Sequence, residues 1–207
     1  MLDASVRKLI DPPLNHLGRF CATRGLNADF VTLIGLVIGL VSAIAIAQGA
    51  FLLGLAFIIL SRFADGLDGA IARATKPSDF GGYLDITSDF LFYGAIPLAF
   101  VWFDPAQNGI AGAFLLTSFY FNGASFLGYA ILAEKHGMKT DHQGIKSLYF
   151  SQGLLEGTET ILFFMALCLI PSAFVWLAFG FGGLCFVTGG LRLFGARKVF
   201  SDLKVDK

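Results

Sequence analysis

Six long apolar runs decide what this chain can fold into. They lie at about Phe30–Gln48, Phe51–Arg73, Gly81–Phe103, Gly109–Ala133, Ser147–Ile170 and Ser172–Phe194. A hydrocarbon core of about 30 Å is crossed by roughly 20 residues of α-helix, so each run is long enough to span a bilayer. Apolar residues cover nearly every face of these runs, as buried or lipid-facing helices require. The alternation of a membrane β-barrel is absent. Charged residues make up 14% of the chain, against about 25% in soluble domains, and the mean hydropathy is +0.72. The expected fold is an all-α membrane protein with six transmembrane helices. Residues 1–29 form a short N-terminal cytoplasmic interfacial segment, 30–194 the transmembrane domain and 195–207 a cytoplasmic tail.

Charge placement sets the expected topology. The links Gln48–Ala50, Asp104–Asn108 and Pro171–Ser172 carry no Lys or Arg. All fifteen Lys and Arg residues fall in the N-terminal segment, around Arg73–Phe80, in Glu134–Lys146, in the tail, or at the adjoining helix ends at Arg62 and Arg192. The positive-inside rule places both termini in the cytoplasm, as an even number of spans requires. Within residues 1–29, Leu2, Val6, Ile10, Leu14 and Leu17 recur at helical spacing, although Pro12 and Pro13 are expected to break or bend that run. No cleavable signal peptide is expected. Cys21, Cys168 and Cys185 have no metal-ligand spacing and read as packing residues. Net charge is zero, and no nucleic-acid partner is expected.

Charged residues inside spans mark function by default. Asp65 and Asp68 are three apart and share a helix face. Asp85 and Asp89 are four apart and share another. The two runs that carry them are joined by a short cytoplasmic link, which makes them antiparallel neighbours. Four carboxylates gathered there need protons or cations. Hard divalent ions take oxygen ligands and bridge phosphates, so Mg²⁺ or Mn²⁺ is expected, as two ions suited to a phosphoryl-type displacement. The plainer reading is a set of ion pairs with Arg62 and Arg73, but two arginines cannot neutralise four aspartates.

The run Asp65-Gly66-Leu67-Asp68-Gly69-Ala70-Ile71-Ala72-Arg73, followed by Gly81, Asp85 and Asp89, resembles the signature of the CDP-alcohol phosphatidyltransferases, D-x-x-D-G-x-x-A-R then G-x-x-x-D-x-x-x-D. The spacer here, Ala74–Phe80, has seven residues where that family usually has eight. The resemblance implies Asp65, Asp68, Asp85 and Asp89 as metal ligands, with Asp89 also the general base. It implies Gly69 and Arg73, with Asp29, Thr32 and Ser78, against the CDP-alcohol. Asp29 also reads as an N-cap of the first span. The implied reaction transfers a phosphatidyl group from CDP-diacylglycerol to a small polar alcohol and releases CMP. The implied setting is a multi-pass protein of a bacterial inner membrane with a cytoplasmic active site, and a homodimer is common in the family. Gly123, Gly128, Gly182, Gly183 and Gly189 give small-residue faces for close helix contacts.

The acceptor is less constrained. Arg192, inside the end of an apolar run, is suited to a phosphate, which favours glycerol 3-phosphate. Glu156 and Glu159 read as lying well into the fifth span, either shaping the acceptor site or pairing with Asn122 and Ser125. Two alternatives stand beside this reading. One is a CDP-choline or CDP-ethanolamine phosphotransferase acting on diacylglycerol. The other is a divalent-cation transporter with the aspartates as its permeation site.

Overall fold

The computed structural model describes residues 3–138 and 155–201. These form seven α-helices and no strand: α1 Asp3–Thr23, α2 Ala28–Ala47, α3 Phe51–Ala74, α4 Asp79–Phe103, α5 Pro105–Lys135, α6 Gly157–Leu169 and α7 Phe174–Phe200, the last preceded by a 3₁₀ turn, Pro171–Ala173. By length and composition, four stretches can cross a membrane: α2, α4, α5 and Pro171–Phe200. Helix α3 is 24 residues long, and what sets it apart is charge, since it carries Arg62, Asp65, Asp68 and Arg73. Helix α6 has 13 residues, and the start of the expected fifth span, 147–154, lies outside the described residues. Helix α7 continues past residue 194 as far as Phe200.

Contacts between helices fix their directions. Ser42 Oγ donates to the Gly54 carbonyl at 2.8 Å and Ser61 Oγ to the Gly35 carbonyl at 2.7 Å. The numbers fall along α2 as they rise along α3, the register of an antiparallel hairpin. Gly49 turns that hairpin at φ +79°, a left-handed conformation that glycine adopts without a Cβ penalty. Helices α2 and α4 run parallel, since Asp29 meets Gly81, Gly39 meets Phe92 and Gly49 meets Phe103. Helices α5 and α7 are parallel too: Gly182 receives Phe114 and Gly189 receives Phe121.

Lipid tails are as apolar as leucine, so helices in a bilayer associate through close packing and interhelical hydrogen bonds. The core is built accordingly from Phe92, Phe100, Phe164 and Phe174, all fully buried. Phe163 stacks on Phe181 at 4.1 Å between centroids, and Phe100 stacks on Phe174 at 5.1 Å. The outer faces remain apolar. Trp102 and Trp176 are 74% and 81% exposed, at the end of α4 and the start of α7, which is where amphipathic indoles settle at a membrane interface.

Two expectations are revised here. Helix α1 passes through Pro12 and Pro13 unbroken. The prolines are exposed, so the carbonyls they leave unbonded can meet solvent, while Leu14, Gly18 and Cys21 pin the following turns to α3. Of the glycines expected to serve contacts between copies, Gly123, Gly182 and Gly189 are occupied within the chain by Phe90, Phe114 and Phe121. At Gly128 and Gly183 a Cβ would meet nothing within 4 Å among the described residues.

Candidate active site

The signature helix α3 ends where Thr75 Oγ1 donates to the Ile71 carbonyl at 2.9 Å. The chain restarts at Ser78, whose Oγ accepts from the Gly81 N–H at 2.9 Å and caps α4. The shortened spacer is absorbed in this brief link, and α4 still returns beside α3. The register then brings Asp85 to Asp65 and Asp68: one carboxylate oxygen from each lies within 4.8 Å of the other two. Asp68 is 5% exposed, and its Oδ2 has no hydrogen-bond donor among the described residues. A buried carboxylate oxygen left in that state is costly unless a cation meets it. Three carboxylates at this spacing form the all-oxygen donor set that hard divalent ions take.

Asp89 joins the group through an arginine. Arg62 Nη1 lies 2.7 Å from Asp89 Oδ1 and 3.4 Å from Asp65 Oδ1. Arg62 Nη2 donates to Ser61 Oγ at 3.2 Å, and the guanidinium sits over the Phe92 ring at 4.2 Å. The plainer alternative weighed from the sequence paired Arg62 and Arg73 alike with the acids. In the structure Arg73 turns away, donating from Nε and Nη2 to Asn15 Oδ1 at 3.2 and 3.0 Å. Asn15 was missed by sequence reasoning, because nothing in the α1 sequence shows which residue will face Arg73.

The remaining candidates fall in two places. Thr32, on α2, is a close polar neighbour of Asp68. Asp29 does not cap α2. Asn27 does, accepting from the Asp29 N–H at 2.9 Å, and the Asp29 carboxylate rests against Gly81, where a Cβ would stand 2.9 Å from its Oδ1. A Cβ on Gly69 would come within 3.2 Å of Arg73 Nη1. The second place is the α5–α7 seam. Arg192, 4% exposed, donates from Nη1 to the Asn122 carbonyl at 3.0 Å, Asn122 Oδ1 at 2.9 Å and Ser125 Oγ at 2.7 Å. Asn122 and Ser125 therefore answer Arg192, where the sequence reading gave them to the glutamates. Glu156 and Glu159 sit at the start of α6 and form a capping box, with the Glu156 N–H donating to Glu159 Oε2 at 3.1 Å. Their spacing of three was the available signal. Glu156 also exerts its charge on Arg192.

The model of the family described as CDP-alcohol phosphatidyltransferase matches residues 26–188. The chain belongs to that family. It is an enzyme of phospholipid biosynthesis, a membrane transferase, and the cation-transport alternative gives way to that finding. Among similar sequences, the chain is 42% identical over 204 residues to "Inner membrane protein YnjF" of Escherichia coli K12, with 99% of each chain covered. It is 37% identical over 92 residues to an archaetidylinositol phosphate synthase of Methanothermobacter thermautotrophicus, covering 44% of each. Its fold matches the crystal structure of Mycobacterium tuberculosis phosphatidylinositol phosphate synthase (PgsA1) with CDP-DAG bound. The TM-score is 0.74 at 20% identity, covering 94% of this chain and 98% of that one. A second structure of PgsA1, in complex with manganese and citrate, matches with a TM-score of 0.73. At that identity the likeness speaks for the fold alone. The family match begins at Leu26, so α1, which packs on the signature helix, lies outside it.

Proposed function

We propose that this phosphatidyltransferase moves the phosphatidyl group of CDP-diacylglycerol onto a hydroxyl of a small phosphorylated alcohol, with glycerol 3-phosphate first among the candidates. The observation that carries this reading is the Asp65–Asp68–Asp85 group on the two signature helices. The acceptor oxygen attacks the phosphorus that carries the diacylglycerol. The bond from that phosphorus to the CMP oxygen breaks, CMP leaves with the electron pair, and Asp89 takes the acceptor proton. Asp65, Asp68 and Asp85 would hold Mg²⁺ or Mn²⁺, which when bound neutralises diphosphate charge and stabilises CMP as it departs. Gly69, Arg73, Asp29, Thr32 and Ser78 line the CDP side. Arg192, on which Glu156 exerts its charge, belongs with Glu156 and Glu159 to the acceptor side. A phosphorylated acceptor is favoured because the relatives named as archaetidylinositol phosphate synthases make phosphorylated products.

In the bilayer the reading is a six-span protein, made of α2 to α7 with residues 30–194 as its core, both termini and the active site on the cytoplasmic side. Parallel α5 and α7 support it, because a chain that crosses twice in one direction must return between, and α6 is the described helix that lies between them in the chain. Trp102 and Trp176 at one end and the Lys and Arg residues at the other support the orientation. A homodimer is the expected assembly, with Gly128 and Gly183 as the small residues left for it.

Purified protein in lipid with Mn²⁺ and labelled CDP-diacylglycerol is the test, offered glycerol 3-phosphate, an inositol phosphate, free inositol and serine in turn. CMP release is expected with a phosphorylated alcohol and is expected to vanish in Asp89→Asn. CMP from serine alone would refute the acceptor class, and CMP from none of them would refute the transfer reaction. Asn15 offers a second check. It holds Arg73 by two bonds, and a hydrogen bond to a charged group is worth about 1.5 kcal/mol, roughly tenfold in binding. Asn15→Ala is therefore expected to raise the KM for CDP-diacylglycerol by about that factor. An unchanged KM would remove Arg73 from the CDP side.

A further inference from the structure

Arg62 lies inside the acidic group, and its surroundings hold it there. Its contacts come from two helices: Ser61 and Asp65 on its own α3, Asp89 and the Phe92 face on α4. Its Nε is buried without a hydrogen-bond partner among the described residues, so the contacts of Nη1, Nη2 and the ring face are what hold it. A guanidinium stays charged at any accessible pH. Moved off Asp89, it would be a buried cation without its nearest counter-charge, the arrangement that membrane interiors tolerate least. A second divalent ion bound by Asp89 would have to do that, or share one carboxylate with a like charge a few ångströms away.

We propose that Arg62 stands in for a second ion: the substrate-free protein takes one divalent cation, at Asp65, Asp68 and Asp85, while Arg62 keeps Asp89. This replaces the pair of ions expected from the sequence, and it rests on the metal reading of the three-carboxylate group. It also gives Arg62 a positioning role toward Asp89. Two independent features carry it. The buried, unpartnered Asp68 Oδ2 points to a cation among the three acids, and the 2.7 Å ion pair removes Asp89 from them.

The test counts Mn²⁺ bound per full-length chain in lipid nanodiscs, without lipid donor, by equilibrium dialysis with spin-resonance detection. Wild type is expected to hold one ion. Arg62→Met frees Asp89 and is expected to double the count. Asp89→Asn is expected still to hold one ion, a readout that stands even where Arg62→Met does not fold. Two ions in wild type, a single ion in folded Arg62→Met, or loss of the ion in folded Asp89→Asn would each overturn the proposal while leaving the metal site standing. No ion bound by wild type would instead bring down the metal reading of the three acids and the proposal with it.

Discussion

Asp68→Ala is expected to reduce CMP release on the order of a thousandfold. The residue is the most enclosed of the three clustered acids, and its Oδ2 has no donor among the described residues. Charge stabilisation by a bound cation is worth several kcal/mol, and about 4 kcal/mol corresponds to three decades of rate. The same geometry makes a second, opposite expectation. With metal chelated away, a buried carboxylate oxygen without a partner costs stability, so the alanine variant should melt no lower than wild type. Added Mn²⁺ should raise the melting temperature of wild type, because a ligand that binds only the folded state stabilises it. It should leave that of Asp68→Ala unmoved. Activity assays and thermal melts with and without Mn²⁺ check both halves. A variant that kept wild-type turnover would end the metal assignment.

Gly39→Val is expected to cost both folding and turnover. Gly39 is buried where α2 meets α3 and α4, and a Cβ there would stand 2.7 Å from Phe92 Cδ2 and 3.0 Å from Ser61 Oγ. Overpacking of this kind destabilises by about 1–3 kcal/mol. The site feels it because both neighbours seat Arg62, Phe92 beneath the guanidinium at 4.2 Å and Ser61 by a hydrogen bond at 3.2 Å. Pushing Phe92 aside shifts Arg62, and with it the carboxylate of Asp89. The expected outcome is a lower melting temperature and a several-fold loss in CMP release. Phe92→Leu in the same chain should recover part of the stability by yielding space. Wild-type melting and turnover in Gly39→Val would contradict the packing described here.

Much of this was legible in the order of residues. The ends of α2, α3, α4 and α5 fall within a few residues of the apolar runs, because a helix in lipid must satisfy its own backbone and the runs leave no alternative. The three-acid group was legible for a related reason: spacings of three and four place side chains on one face, and a short link forces two helices to lie side by side. What escaped depended on rotation and distance. Helical periodicity cannot tell that Arg73 faces Asn15, 58 residues earlier in the chain, or that Arg192 takes Asn122 and Ser125 from the glutamates. The helix start at Gly157 also escaped, because it lies inside an apolar run that hides a beginning, while Glu156 and Glu159 wrote the capping box that marks it. The prolines of α1 misled in the opposite sense, since the rule for isolated helices does not count the surface of α3 against which this one rests.

The two serine bridges between α2 and α3 have a consequence for how the protein is made. Each joins a hydroxyl to a backbone carbonyl on the adjacent helix, so nothing synthesised later is needed to close them. The α2–α3 hairpin therefore carries its own fastening. It delivers Thr32, Asp65 and Asp68 as a half-built centre, which waits for α4 to bring Asp85 and the counter-charge for Arg62.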